Sequence, residues 1–125
     1  MSATNRVRIL SISDDDGLRM SRELVLESDG YELESLSSNG HLAVAKVQSF
    51  EIAIVCQSVD GGRATRLAEM LRCYNPSIRI LRIGRDSFQF DPYYYDVGCD
   101  AIAGPRALLN AVKSLLDKKN PARES

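Results

Sequence analysis

No apolar run in this chain approaches the roughly 20 residues needed to cross a bilayer, and no apolar signal core follows the opening Met1-Ser2-Ala3-Thr4-Asn5-Arg6. A cytoplasmic protein is expected. Neither sign of charge dominates: 16 Lys plus Arg stand against 17 Asp plus Glu, a formal net charge of -1. Without a broad basic field to hold phosphate backbones, nucleic acid is not an expected partner, and neither is a membrane. Cysteine is scarce and poorly spaced for cross-linking. Cys56, Cys73 and Cys99 are odd in number and far apart, with no CxxC, so neither a disulfide framework nor a zinc site is indicated. The single histidine, His41, has no partner at ligand or catalytic spacing.

What is present is a chain of 125 residues, 44% hydrophobic and 26% charged, which suits one globular domain, with a core over about 6–118 and a tail over 119–125. Short β-branched runs alternate with longer helical patterns, as expected of a parallel sheet with crossover helices. The predicted strands are Val7 to Ile12, Tyr31 to Leu36, Ile52 to Val55, Ile78 to Ile83 and Ala101 to Ala103. The second reads as an edge strand. The third, continuously apolar, reads as a central strand buried on both faces. Arg79 and Arg82 argue that one side of the fourth lies near solvent or that their guanidinium groups snorkel out, so it does not read as a deep core strand.

Helices are predicted over about 18–28, around Ala43 to Val47, and through the stripe Ala64, Leu67 and Leu71 up to Asn75-Pro76. Another is expected to begin at Asp91-Pro92, where Asp can cap and Pro is pre-set for the first helical position. The last begins at Pro105 and carries Leu108, Val112 and Leu115. Five parallel strands place Ser13 to Asp16, Cys56 to Asp60, Ile83 to Arg85 and Gly104-Pro105 together at the carboxyl ends of the strands, where open α/β sheets bind ligands.

These strings, in this order, resemble the receiver domain of bacterial two-component response regulators. The matching stretches are Arg8 to Asp15 with Leu18-Arg19, Gly30 to Leu33, Asn39-Gly40, Glu51 to Cys56, Asn75 to Ile78 and Gly98 to Asp100. The resemblance implies a flavodoxin-like (CheY-like) doubly wound five-stranded sheet of order 2-1-3-4-5, with helices on both faces. It also implies a phosphoryl site. Receivers transfer phosphate to an aspartate after the third strand, using magnesium held by an acidic pair after the first, a hydroxyl residue after the fourth and a lysine after the fifth.

Carried onto this chain, most of that set is missing. The acceptor position falls on Cys56. The acidic pair falls on Ser13 and Asp14, or one place on, Asp14 and Asp15. The hydroxyl position falls on Ile83 or Gly84, and Gly104 precedes Pro105 where lysine precedes proline in the family. The aromatic position of the fifth strand falls on Ile102. A thiol cannot accept phosphate as an aspartate does, and magnesium discriminates against sulfur, so magnesium binding is not expected and no cofactor is implied. Asp14 and Asp15 keep a weak possibility of holding a metal, set against plain helix capping. Cys56 reads either as a small buried hydrophobe or as a redox thiol, its thiolate suppressed by Asp14 and Asp15. Asp60 could be a displaced acceptor or a solvated loop acid.

Five of the eight aromatic residues, Phe88, Phe90, Tyr93, Tyr94 and Tyr95, crowd one segment. They either cover their own helix or, with Ile102, form a partner surface. The expectation is a pseudo-receiver in bacterial signal transduction: not an enzyme, without an output domain, and acting through contact with another signalling protein or as a homodimer. The alternatives are a phosphorelay receiver with an atypical acceptor and a thiol-based sensor through Cys56.

Overall fold

The computed structural model describes residues 7–41, 43–84 and 91–117. Strands β1 (Arg8–Ile12), β2 (Glu32–Leu36), β3 (Ile52–Val55), β4 (Arg79–Gly84) and β5 (Val97–Asp100) alternate with helices α1 (Asp16–Ser28), α2 (Val44–Val47), α3 (Gly61–Tyr74) and, after β5, α4 (Pro105–Asp117). Every pairing is parallel and the order is β2-β1-β3-β4-β5. The chain winds outward from β1 in both directions, so the crevice expected of a doubly wound sheet opens beyond the carboxyl ends of β1 and β3.

Successive side chains of a strand point to opposite faces, and the core divides accordingly. Leu10, Ile12, Ala53, Val55 and Ile80 face the layer that holds Val47 of α2 and Ala64, Leu67, Ala68 and Leu71 of α3. Ile9, Ile52, Ile54, Leu81 and Ile83 face the layer that holds Leu26 of α1 and Leu108, Val112 and Leu115 of α4. Cys56 and Cys99 belong to this second layer. The helical stripes read from the sequence in α3 and α4 are the faces that are buried.

Three expectations are corrected. β4 is an inner strand, paired on both sides, with Ile80, Leu81, Ile83 and Gly84 buried. Its arginines misled the reading because the Arg82 guanidinium finds backbone carbonyls at the sheet's end instead of solvent.

No helix starts at Asp91-Pro92. The Asp91 side chain accepts from Tyr93 N–H, and its carbonyl accepts from Tyr94 and Tyr95, forming a single turn. The chain is then drawn back to the sheet at once. Asp96 N–H donates to Ile80 O, while Asp96 Oδ2 accepts from Ile80 N–H at 2.8 Å and Arg72 Nη2 at 2.7 Å.

The fifth strand is Val97–Asp100, and Ala101–Ala103 is a turn. Asp100 stops the strand: its side chain accepts from Ile102 N–H at 3.1 Å and its carbonyl from Ala103 N–H. Gly104 follows at φ +92, a left-handed conformation that residues with a Cβ rarely adopt. Ile102 is consequently 78% exposed instead of lying in the sheet. Residues 118–125, including the expected tail, lie outside the described residues.

Candidate functional site

Cys56 follows β3 directly and is 0% exposed. Its amide donates to Ile12 O, which seats it level with the end of β1. Ser13, the residue after β1, is also buried and points toward it: Ser13 contributes a hydrogen bond to the Cys56 thiol. Ser13 Oγ lies 3.0 Å from Ser58 Oγ, and the Asp14 amide donates to Ser58 Oγ at 2.9 Å. Backbone and hydroxyls thus join the loop after β1 to the loop after β3, as the topology demands.

The two carboxylates of the expected acidic pair are both committed elsewhere. Asp14 turns away from Cys56 toward the loop after β2, where Oδ1 accepts from Ser38 N–H at 2.8 Å and Oδ2 from Ser38 Oγ at 2.6 Å. Arg63 of α3 donates to Ser38 Oγ at 3.2 Å and also reaches Asn39. These Ser38 bonds, with a smaller contribution from Arg63, hold the Asp14 carboxyl below its ordinary value, against a lesser upward push from desolvation. Asp15 caps α1, its side chain accepting from Leu18 N–H at 3.0 Å. Asp60, exposed to solvent, caps α3 by accepting from Gly62 and Arg63 N–H. Among the described residues no group of three His, Cys, Asp or Glu could hold a metal ion. The donor set at Cys56, a neutral thiol with serine hydroxyls, does not fit the hard-oxygen shell that magnesium requires.

Two guanidinium groups that the sequence reading did not assign to the site flank Cys56. Arg82 Nη1 donates to Cys56 O at 2.9 Å and Nη2 to Val59 O at 3.0 Å, while the guanidinium lies 6.0 Å from the centre of the Tyr95 ring. Arg22 of α1 faces the sulfur itself. Burial pushes the Cys56 thiol up from its ordinary value; Arg22, Ser13 and Arg82 pull the other way without overcoming it. The sequence had pointed to Asp14 and Asp15 as the groups suppressing the thiolate, and neither contributes. Desolvation does.

Cys99 pairs with Ile83 on β4, which separates it from Cys56 by one intervening strand. Strands are about 4.8 Å apart, so the two Cα atoms stand on the order of 10 Å from each other, beyond the reach of a disulfide. Ile83 and Gly84 offer no hydroxyl, as expected, and both are buried. Gly104 and Pro105 sit across from Ile83 at the mouth of a cavity between α1 and α4.

The aromatic segment divides. Tyr95 is 6% exposed in the core beside Arg82, Tyr94 packs against the core, and Tyr93 is 75% exposed. The Tyr93 and Tyr94 rings meet edge to face at 4.8 Å. Phe88 and Phe90 lie outside the described residues. Arg22 could have been found in the sequence only by its position one helical turn past Leu18, a weak signal on a helix with an untidy apolar face.

Comparison with solved structures places the fold among CheY-like receiver domains. A CheY-like response regulator receiver domain protein from Methanospirillum hungatei JF-1 matches with a TM-score of 0.73 at 22% identity, covering 90% of this chain and 95% of the other. A receiver domain protein from Clostridium thermocellum matches with a TM-score of 0.75 at 15% identity over 89% and 94%. A putative pilus assembly-related protein from Burkholderia pseudomallei K96243 matches with a TM-score of 0.69 at 17% identity over 92% of each chain. No protein-family model matches the sequence, and no curated protein matches it. Among the described residues no helix is long and apolar enough to cross a membrane.

Proposed function

We propose that this chain is a receiver-like module of two-component signalling that neither binds magnesium nor accepts phosphate, and that it works by binding another protein. The observation that carries the reading is the buried Cys56 thiol at the carboxyl end of β3, with Asp14 tied to Ser38 instead of turned toward it. Phosphoryl transfer of the receiver kind uses a carboxylate nucleophile, a hard cation and cationic or hydroxyl groups on the transferred oxygens. A neutral thiol under Ser13 supplies none of the first two.

Incubation with acetyl phosphate and magnesium tests this directly. Intact mass is expected to show no phosphate adduct, and an acid-labile or thiol-linked adduct would instead support the atypical-acceptor alternative. The thiol-sensor alternative is disfavoured by burial of Cys56, which keeps it protonated and out of reach of oxidants.

The exposed side chains flanking β5 are the candidate partner surface: Tyr93 and the half-buried Tyr94 before the strand and Ile102 after it present apolar area. A signalling partner or a second copy of the chain is the proposed occupant. Tyr93→Ala with Ile102→Ala probes the surface without touching the core, whereas Tyr95 substitutions would unpack it. Loss of self-association or partner capture, with the fold intact, is the expected result.

A further inference from the structure

A cavity of about 170 Å³ lies between α1 and α4 at the carboxyl ends of β4 and β5. Val25, Ile83 and Leu108 supply apolar wall. Gly104 and Pro105 bound it, and a Cβ at Gly104 would meet nothing within 4 Å, so the missing side chain leaves the space open.

Arg22 also lines this cavity, where it faces the Cys56 sulfur and makes no ion pair. Among the described residues it has no carboxylate within ion-pairing distance. Its Nη1 is buried with no hydrogen-bond partner. The thiols it faces, Cys56 and Cys99, are kept neutral by burial. Asp100, the acid on the cavity wall, accepts from Ile102 N–H through Oδ1 and makes no ion pair with Arg22. A partly buried cation among apolar groups and neutral thiols is costly unless an anion joins it. The amino end of the 13-residue α4, beginning at Pro105 on the cavity rim, adds positive potential to the same space.

We infer that this cavity binds a small organic monoanion, a carboxylate on an apolar body. Arg22 takes the carboxylate, and Val25, Ile83 and Leu108 cover the body. An apolar protein cavity of about 150 Å³ holds a benzene ring, which sets the size of the body at roughly six to nine non-hydrogen atoms. The inference is independent of whether the chain accepts phosphate, since neither Cys56 Sγ nor any metal takes part in it.

Benzoate and benzyl alcohol, nearly equal in shape and different in charge, are the probes. Titration of the full chain is followed by calorimetry and by backbone amide shifts. Benzoate is expected to saturate one site, to move the amides of Arg22, Val25, Cys99, Gly104 and Leu108 together, and to bind at least tenfold more tightly than benzyl alcohol. Arg22→Gln is expected to abolish that difference and Arg22→Lys to keep part of it. Equal affinity for the two probes, shifts scattered outside the cavity, or no saturation by benzoate overturns the inference. The wild-type comparison of the two probes decides the matter even if a variant fails to fold.

Discussion

Cys56 and Arg82 divide the work at the end of β3: one supplies a side chain that does no chemistry, the other holds the backbone around it. A thiol with its pKa raised by burial is a poor nucleophile, because reaction requires the thiolate and access to it. Cys73 is exposed on α3 while Cys56 and Cys99 are buried. Limited treatment of the native protein with a thiol-exchange reagent is therefore expected to label Cys73 first, with Cys56 and Cys99 following only on unfolding. Mass mapping of the labelled peptides checks this, and early labelling of Cys56 contradicts it. Arg82→Met keeps the stem but leaves Cys56 O and Val59 O without their donor. A loss of about 2 kcal/mol is expected from two charge-assisted bonds in a partly buried place, measured by denaturant unfolding. Hydrogen exchange in 56–60 is expected to rise more than in the rest of the sheet.

Among the elements, β5 is anchored at its start by the Asp96 side chain. It is short, and Asp96 ties the chain to β4 and α3 just before it begins through Ile80 N–H and Arg72. Asp96→Ala leaves a backbone donor and a guanidinium unpaired at the sheet's edge. An expected cost of about 1–3 kcal/mol is accompanied by loss of amide protection in Val97–Asp100, while β1 and β3 stay protected.

The loops after β1 and β2 are joined by Asp14 and Ser38, and that junction depends on pH. The folded-state pKa of Asp14 is depressed below 3.8, chiefly by the Ser38 side-chain bond and then by the Ser38 amide. Stability from this pair is therefore present above the unfolded value and is lost as pH falls through the lower folded value. Because Asp14 is exposed, the contribution is at most about 1 kcal/mol. Stability of the wild type and of Asp14→Asn is expected to differ above about pH 4 and to draw together as pH falls through the lower folded-state value of Asp14; parallel curves would refute the assignment.

At the scale of the whole molecule, alternation of β-branched runs with helical stripes was enough to read a parallel sheet and the loops that meet at the crevice, while the strand order was implied only by the resemblance to receiver domains. Continuous apolar character marked Ile52–Val55 as central, and the stripes Ala64-Leu67-Leu71 and Leu108-Val112-Leu115 are the buried faces of their helices. Reading failed where local chemistry and tertiary contacts competed. Ala101-Ile102-Ala103 has the composition of a strand, yet the Asp100 turn ends the strand before it. Asp91-Pro92 has the signature of a helix start, yet Asp96 recaptures the chain after one turn.

The candidate site follows the same division. Residue identity alone settles that no carboxylate stands at position 56 and no lysine at 104, because chemistry absent from the sequence cannot be created by folding. Which charges face Cys56 was decided only in three dimensions. Asp14 and Asp15 are its neighbours in the loop topology but turn to Ser38 and to the α1 amides, which offer them better partners. Arg22 and Arg82, far away along the chain, arrive from a helix face and a strand end because packing directs side chains across the sheet, and no local pattern records that direction.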